Sequence, residues 1–259
     1  MTPPYSIAGM HAVVTGASRG IGAAIAASLV AEGARVSLLA RSEPALREVA
    51  MQLGGERSFP MVADVTDPAA VSSAFAALRA RFGAVQILIN NAGQAASAKF
   101  TETDLELWHR IMSVNLTGTY LCTRAAVPDM LQHGFGRIVN IASIAGLRGG
   151  AYLSAYVSSK HAVVGLTRCL ALEYATRNIT VNAVCPGYVD TDLVKNSIAT
   201  IRRKTGRSES EALASLVATN PQGRLITPEE VAHAAVWLCR SGSESVNGQT
   251  IVLAGGEVF

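Results

Sequence analysis

The sequence predicts an α/β fold: one domain over residues 1–259, built as a doubly wound parallel sheet of about seven strands with helices on both faces. Three observations carry this. Short apolar runs alternate with longer amphipathic segments from end to end, as in successive βαβ units. A glycine turn at residues 15–22, TGASRGIG, follows the first apolar run and opens a helical pattern at Ile21, Ile25 and Leu29. The chain is 49% hydrophobic and only 16% charged, which suits strands buried on both faces and excludes a disordered chain.

The first strand is read at residues 11–14, and its helix runs to Gly33. Residues 36–40 read as a second strand and 59–63 as a third, ending at Asp64. Asp67-Pro68 starts a helix with a cap residue and a proline in its first turn. Val71, Phe75, Leu78 and Phe82 mark its buried face. Residues 85–89 form a strand that runs into Asn90-Asn91-Ala92-Gly93, and Thr103 with Glu106 has the spacing of a capping box. A fifth strand covers 137–142, a long helix 152–176, and a sixth strand 180–184, cut off by Pro186-Gly187. Thr227-Pro228-Glu229-Glu230 caps another helix, and 249–253 is the last strand. One stretch breaks the rhythm. Residues 192–225 are polar, basic in the middle and longer than an ordinary connection, and are expected to form either a small helical lid over the substrate or a surface insertion.

Several function classes are excluded early. A net charge of +3 and 5% aromatics give neither the basic surface nor the stacking platform of a nucleic-acid binder. No apolar run approaches the ~20 residues of a membrane span, and the opening MTPPYSIAGM has no basic stretch of a signal peptide. Cys122, Cys169, Cys185 and Cys239 form no C-x-x-C and read as reduced core thiols of a cytoplasmic protein. His11, His109, His133, His161 and His233 have no metal-ligand spacing, so no metal is expected. Trp108 and Trp237 fall in helical patterns and read as core.

Ligands of an open parallel sheet bind beyond the carboxyl ends of its strands. Asp64, Asn91, Ser143 and Pro186-Gly187 each follow a predicted strand, so separate loops converge on one crevice. The glycine turn before the first helix suits an anion such as a pyrophosphate, which the helix N-terminus attracts. Tyr156 and Lys160 lie four residues apart on the long helix and point the same way. An ammonium beside a phenol favours the phenolate and would lower the tyrosine pKa. A poised phenol is a general acid or base for an alcohol–ketone pair.

Together, TGASRGIG, Asp64, NNAG at 90–93, Asn115, Ser143, Y-x-x-x-K at 156–160 and PG-x-x-x-T at 186–191 resemble the short-chain dehydrogenases/reductases, in order and over nearly the whole chain. The resemblance implies a Rossmann-type domain and a catalytic group of Asn115, Ser143, Tyr156 and Lys160. Tyr156 would give a proton to a carbonyl, Ser143 would steady that oxygen, Lys160 would hold the nicotinamide ribose, and Asn115 would hold a relay water. It further implies that Gly16, Ser18, Arg19, Gly20, Ile21, Gly22, Arg41, Asp64, Val65, Asn91, Ala92, Gly93, Pro186, Gly187, Val189 and Thr191 bind the coenzyme with Tyr156 and Lys160. Substrate would meet Gln94, Ser143, Leu147, Tyr152, Tyr188 and Leu193.

The coenzyme reads as NADP(H) over NAD(H). The second strand ends at Ala40 where a 2′-hydroxyl would want a carboxylate, and Arg41 follows, with Arg19 in the glycine turn. Two guanidiniums suit a phosphate dianion. The substrate is expected to be a small-molecule ketone or alcohol, in particular a 3-oxoacyl thioester or a polyketide-like or aromatic ketone. It could be linked to coenzyme A or a carrier protein through Arg202, Arg203, Lys204 and Arg207. The rivals are an NAD-dependent 3-hydroxyacyl-CoA or small-alcohol dehydrogenase and a non-catalytic dinucleotide sensor. The family resemblance also implies a homotetramer assembled through the helices around 104–130 and 152–176 and the carboxyl-terminal segment.

Overall fold

A computed structural model describes residues 6–257. Residues 1–5 of the opening decapeptide and 258–259 of the carboxyl-terminal segment lie outside the described residues. The strands are β1 (His11–Thr15), β2 (Arg35–Ala40), β3 (Ser58–Val62), β4 (Ile87–Asn90), β5 (Gly136–Ile141), β6 (Ile179–Pro186) and β7 (Thr250–Leu253). All pair in parallel, in the order β3-β2-β1-β4-β5-β6-β7. The chain winds outward from β1 in one direction and from β4 in the other, so the crevice between those two strands is the topological switch point.

The helices are α1 (Gly20–Ala31), α2 (Glu43–Gln52), α3 (Pro68–Phe82), α4 (Leu105–Met112), α5 (Gly118–His133), α6 (Ser154–Tyr174), α7 (Asp192–Thr205), α8 (Glu209–Val217) and α9 (Pro228–Trp237). Period-2 alternation divides the strand side chains between two cores. Val14, Leu38, Ile89 and Val139 pack with Ile25 and Leu29 of α1, Leu46 of α2 and Val231 of α9. Val13, Leu39, Leu88 and Ile138 pack on the other face with Phe75 of α3, Ala126 of α5 and Ala171 of α6. A buried polar chain pins this second layer just below the sheet's carboxyl edge. Asn90 Nδ2 donates to Thr123 Oγ1 and to Asn140 Oδ1, both at 2.9 Å, and Asn140 Nδ2 donates to Thr167 Oγ1 at 2.9 Å. Partners of this kind are what let asparagines sit in a core.

The structure corrects several expectations. Thr103 does not cap α4: its hydroxyl bonds back to Lys99 O, and Asp104 takes the cap, accepting from Leu107 N at 2.8 Å. A carboxylate one residue nearer the helix reaches its amides directly. The long helix starts at Ser154, because Tyr152 takes a left-handed backbone (φ 66°) that no helix can include. Strand β4 begins later than expected, at Ile87, and α2 was not foreseen, although Glu43-Pro44 marks its first turn. Cys122, Cys185 and Cys239 are buried free thiols, but Cys169 is exposed on the outer face of α6. Trp237, expected in the core, is 44% exposed. Among the described residues no helix is long and apolar enough to cross a membrane and no group of His, Cys, Asp or Glu could hold a metal.

Candidate active site

The switch point is closed by one side chain and two glycines. Asn91 Nδ2 donates to Thr15 O at 3.0 Å and Gly16 O at 3.1 Å, while Thr15 Oγ1 accepts from the Asn91 and Ala92 amides, each at 3.0 Å. Gly16 and Gly20 take left-handed backbones (φ 64° and 53°). A Cβ on Gly22 would stand 2.3 Å from Gly16 O and 2.5 Å from Asn91 Nδ2, so only glycine lets α1 begin this close to the strand ends. Arg19 provides no side-chain cap for α1. The first N–H groups of α1 therefore face the crevice with their partial positive charge, which fits a dinucleotide's pyrophosphate. Thr191 leans on the same turn, its methyl 3.2 Å from where a Cβ on Gly20 would be. Ser18 and Ile21 belong to the same turn.

At the adenine end, β2 closes at Ala40 and Arg41 follows in solvent. Each expected phosphate ligand has a carboxylate neighbour: Arg41 Nη1 lies 3.9 Å from Asp64 Oδ2, and Arg19 Nη1 lies 3.3 Å from Asp192 Oδ2. Both pairs are exposed, and such pairs are worth about 0.2–1 kcal/mol, little enough for a phosphate dianion to displace. Asp64 Oδ1 accepts from Thr66 N at 2.9 Å and Thr66 Oγ1 at 2.8 Å. Burial raises its pKa, but those bonds and Arg41 outweigh it and leave the carboxyl below its usual value. Val65 is buried and Gly118 packs against it, with room for no Cβ.

The expected catalytic residues converge. Asn115 sits in a π-helical turn, Ser113–Thr117, between α4 and α5, and is 1% exposed. Its Oδ1 accepts from Gln94 N at 2.8 Å; its Nδ2 donates to Gln94 O and to Ser159 Oγ, both at 2.9 Å. Ser159 Oγ in turn donates to Tyr156 O at 2.7 Å. Asn115 is thus first a brace between the segment after NNAG and α6. Both its amide protons are committed, so the relay expected of it has only carbonyl lone pairs to work with. Asn115 Oδ1 and Lys160 Nζ stand 3.3 Å and 3.6 Å from where a Cβ on Gly93 would be, and that missing side chain leaves the site open above them.

Ser143 ends β5 and caps a short 3₁₀ turn, Ile144–Gly146, its Oγ accepting from Ala145 N at 3.1 Å. That turn presses on α6 beside Lys160: a Cβ on Gly146 would be 2.8 Å from Lys160 O. Lys160 Nζ donates to Ile141 O at 2.8 Å and lies 5.8 Å from the Tyr156 ring centre. Tyr156 and Lys160 share a face as the spacing implied, but the electrostatics differ from expectation. Burial dominates both. It pushes the Tyr156 phenol above its ordinary value, with the Ser143 hydroxyl bond pulling back. It takes Lys160 from 10.5 down to about 8. Lys160 does not lower the tyrosine here, because desolvation weakens its own charge.

Of the expected substrate residues, Gln94 is tied to Asn115, Leu147 packs against the cluster of Val163 and Val164, and Tyr188 packs against the α7–α8 core. Tyr152 (65%) and Leu193 (44%) stand in solvent. Tyr152 O accepts from Ala98 N at 2.9 Å, which ties the entry to α6 to the segment after NNAG. Residues 192–225 fold as α7 and α8 around Val194, Ile198, Ala212 and Leu216. Their base is zipped where Ile226 bonds Tyr188 and Asp190 beside Val189. No sequence pattern marks Ser159, which joins Asn115 to α6, or Arg148, Thr219 and Glu257, which meet one another only through tertiary contacts.

The family model "short chain dehydrogenase" matches residues 10–202. The D-beta-hydroxybutyrate dehydrogenase of Rhizobium meliloti (strain 1021) is 38% identical over 250 residues, covering 95% of this chain and 97% of that one. The 3-oxoacyl-acyl-carrier-protein reductase of Salmonella typhimurium (strain LT2) is 36% identical over 251 residues, covering 97% and 98%. A crystal structure of a variant actinorhodin polyketide ketoreductase with NADPH superposes with a TM-score of 0.92 at 38% identity, covering 96% of this chain and 97% of that one.

The buried ammonium makes a stability prediction. Folded, Lys160 loses its proton near 8; unfolded, near 10.5. Between those values the unfolded chain binds the extra proton, so this residue's cost to stability fades as pH rises through that window. Replacing Lys160 by Met should therefore raise the melting temperature of the coenzyme-free protein at pH 7, and the advantage should shrink towards pH 10. Melting scans across that range check it. An advantage that is constant or grows with pH contradicts the burial argument.

Proposed function

The chain belongs to the short-chain dehydrogenase family, and on that premise we propose that Asn115, Ser143, Tyr156 and Lys160 are its catalytic residues. It is an NADP(H)-dependent oxidoreductase that interconverts a ketone and a secondary alcohol. The observation that carries the residue assignment is the convergence at the carboxyl edge of the sheet of Ser143, just past β5, with Lys160, whose Nζ donates to Ile141 O at 2.8 Å and lies 5.8 Å from the Tyr156 ring on the same helix face.

The residues at the switch point suit NADP(H): α1's open N-terminus for the pyrophosphate, Arg41 and Arg19 for the 2′-phosphate, and Asn91, Asp64 and Thr191 around the ribose, adenine and nicotinamide. When bound, NADPH supplies the hydride for the carbonyl carbon. Ser143 Oγ orients the carbonyl oxygen by a hydrogen bond. The Tyr156 hydroxyl hydrogen-bonds that oxygen and gives it a proton as negative charge develops there. A phenol left protonated by burial starts in the state this step requires. Lys160 would hold the nicotinamide ribose, and Asn115 holds α6 so that both groups keep their places. An NAD-linked dehydrogenase lacks support at Ala40, where the acid it would use is missing.

The finer reading is a 3-oxoacyl thioester or polyketide-like ketone, delivered on coenzyme A or a carrier protein to a pocket under the 192–225 lid. Its support is the partly apolar lining from Leu147 and Tyr188 and the basic end of α7, where Arg202, Arg203, Lys204 and Arg207 are exposed. Assembly as a homotetramer is supported by the exposed apolar residues Phe100, Leu105, Tyr120 and Leu172 around α4, α5 and α6. Free thiols suit a reducing cytoplasm.

Tyr156→Phe keeps the ring and removes the proton donor. Turnover should fall by about 10²- to 10⁴-fold with NADPH affinity kept, as stopped-flow reduction and a fluorescence titration would read. Turnover within a few-fold of the parent rejects the assignment. Arg41→Asp should weaken NADP(H) by about 1.5–3 kcal/mol, one charge-assisted contact, and spare NAD(H). An unmodified enzyme that prefers NAD(H) at equal concentration contradicts this. A coenzyme A thioester should show a lower KM than a simple ketone, and added salt should erase the difference, because exposed charges are screened over about 8–10 Å. Equal KM values, insensitive to salt, would make the α7 charges a solvated helix end.

A further inference from the structure

Glu257 is a buried acid that none of these roles uses. Its carboxylate is 2% exposed. Oε1 accepts from the Arg148 guanidinium and from Thr219 Oγ1, the latter at 2.5 Å. Oε2 stands 3.4 Å from where a Cβ on Gly187 would be. Four separate stretches meet there: the loop five residues beyond Ser143, the turn after Pro186, the chain just past α8, and the residues after β7.

A second set of contacts makes the same junction. Gly255 and Gly256 take left-handed backbones (φ 60° and 95°). A Cβ on Gly255 would stand 2.0 Å from Asn220 Oδ1, and one on Gly256 would touch Pro221 at 3.4 Å. Asn220 is buried, donates to Arg224 O at 2.8 Å and accepts from Gln222 N at 2.9 Å. The carboxyl-terminal residues are therefore threaded against the exit of the helical insert with no room for a side chain.

Tyr188 directly follows Gly187 and packs on the α7–α8 core, so the expected pocket wall begins at this junction. Burial pushes the Tyr188 phenol up, the Glu257 carboxylate adds to that, and Arg148 opposes it; Tyr188 in turn raises Tyr156. An acid this enclosed is tolerable only while its partners hold it, since a buried charge stripped of its partner is strongly unfavourable.

We infer that Glu257 is a positioning residue for the ketone pocket: through Arg148 and Thr219 it fixes Tyr188 and the end of the 192–225 segment against the Ser143 loop, setting substrate affinity without entering the chemistry. This rests on the ketone-reductase reading above. It predicts a loss that falls on substrate binding and that Arg148 and Glu257 share.

The test uses the full chain, NADPH, a 3-oxoacyl thioester and a simple ketone, with Glu257→Gln, Arg148→Gln and the double variant. Each single variant should raise KM about tenfold or more, with kcat within about threefold of the parent. NADPH affinity should not change, and the double variant should be no worse than the poorer single, because the two changes break one link. Trypsin should cut at Arg202, Arg203 and Lys204 faster in each variant with NADPH bound. Glu257→Asp, which keeps the charge, should recover part of the KM. Unchanged KM, a loss confined to kcat, or multiplicative losses in the double variant would overturn the inference. If Glu257→Gln melts early or loses NADPH, the partly exposed Arg148→Gln decides by the same readouts. A parent enzyme that reduces no ketone overturns the reductase reading, and the trypsin comparison still reads the junction separately.

Discussion

The amide of Asn91 bridges the ends of β4 and β1 at the switch point, just past where their ladder stops, and the site is built around that seam. Its protons go to Thr15 O and Gly16 O, across the gap between β4 and β1. The seam closes only because Gly16 and Gly22 have no Cβ. That closeness brings the start of α1 up to the strand ends and leaves its N–H groups facing the crevice. It also sets Gly93 against Asn115 Oδ1 and Lys160 Nζ. A single methyl at position 22 would separate the anion cradle from the strand that carries the rest of the site.

Burial decides the electrostatics of Tyr156 and Lys160. The expectation that Lys160 depresses the Tyr156 pKa treats the ammonium as an outside charge acting on a phenol. In the structure both groups are enclosed together, and the loss of water works against charge on each. The result is a phenol held protonated and an amine less basic than a free lysine. A brace runs from Gln94 through Asn115 and Ser159 to the Tyr156 carbonyl. It holds α6 in place, and the π turn is what aims Asn115 inward.

Charge at the rim follows different rules. Arg19 and Arg41, the guanidiniums suited to a phosphate, each have a carboxylate neighbour in Asp192 and Asp64. Exposed pairs of this kind are weak and exchangeable, so they keep guanidiniums near the coenzyme's path without fixing them. The Arg19–Asp192 contact also joins the glycine turn to the first residue of α7, so the coenzyme cradle and the helical insert touch through one solvated pair.

The sequence by itself determined the fold and the identity of the converging loops. Strand and helix periodicity, the glycine turn before α1 and polar residues at successive strand ends are local patterns, and parallel βαβ geometry leaves them one edge on which to meet. Tyr156 and Lys160 were legible because helical spacing alone puts them on one face. The Asp104 cap, the left-handed Tyr152 and the exposed Trp237 and Cys169 were not, because each depends on which neighbour wins a bond or covers a surface. Tertiary structure alone decided the burial of Tyr156 and Lys160, the bracing role of Asn115 and the meeting of Arg148, Thr219 and Glu257. Those follow from desolvation and from contacts between stretches as far as 109 residues apart, and neither is encoded in any window of the chain.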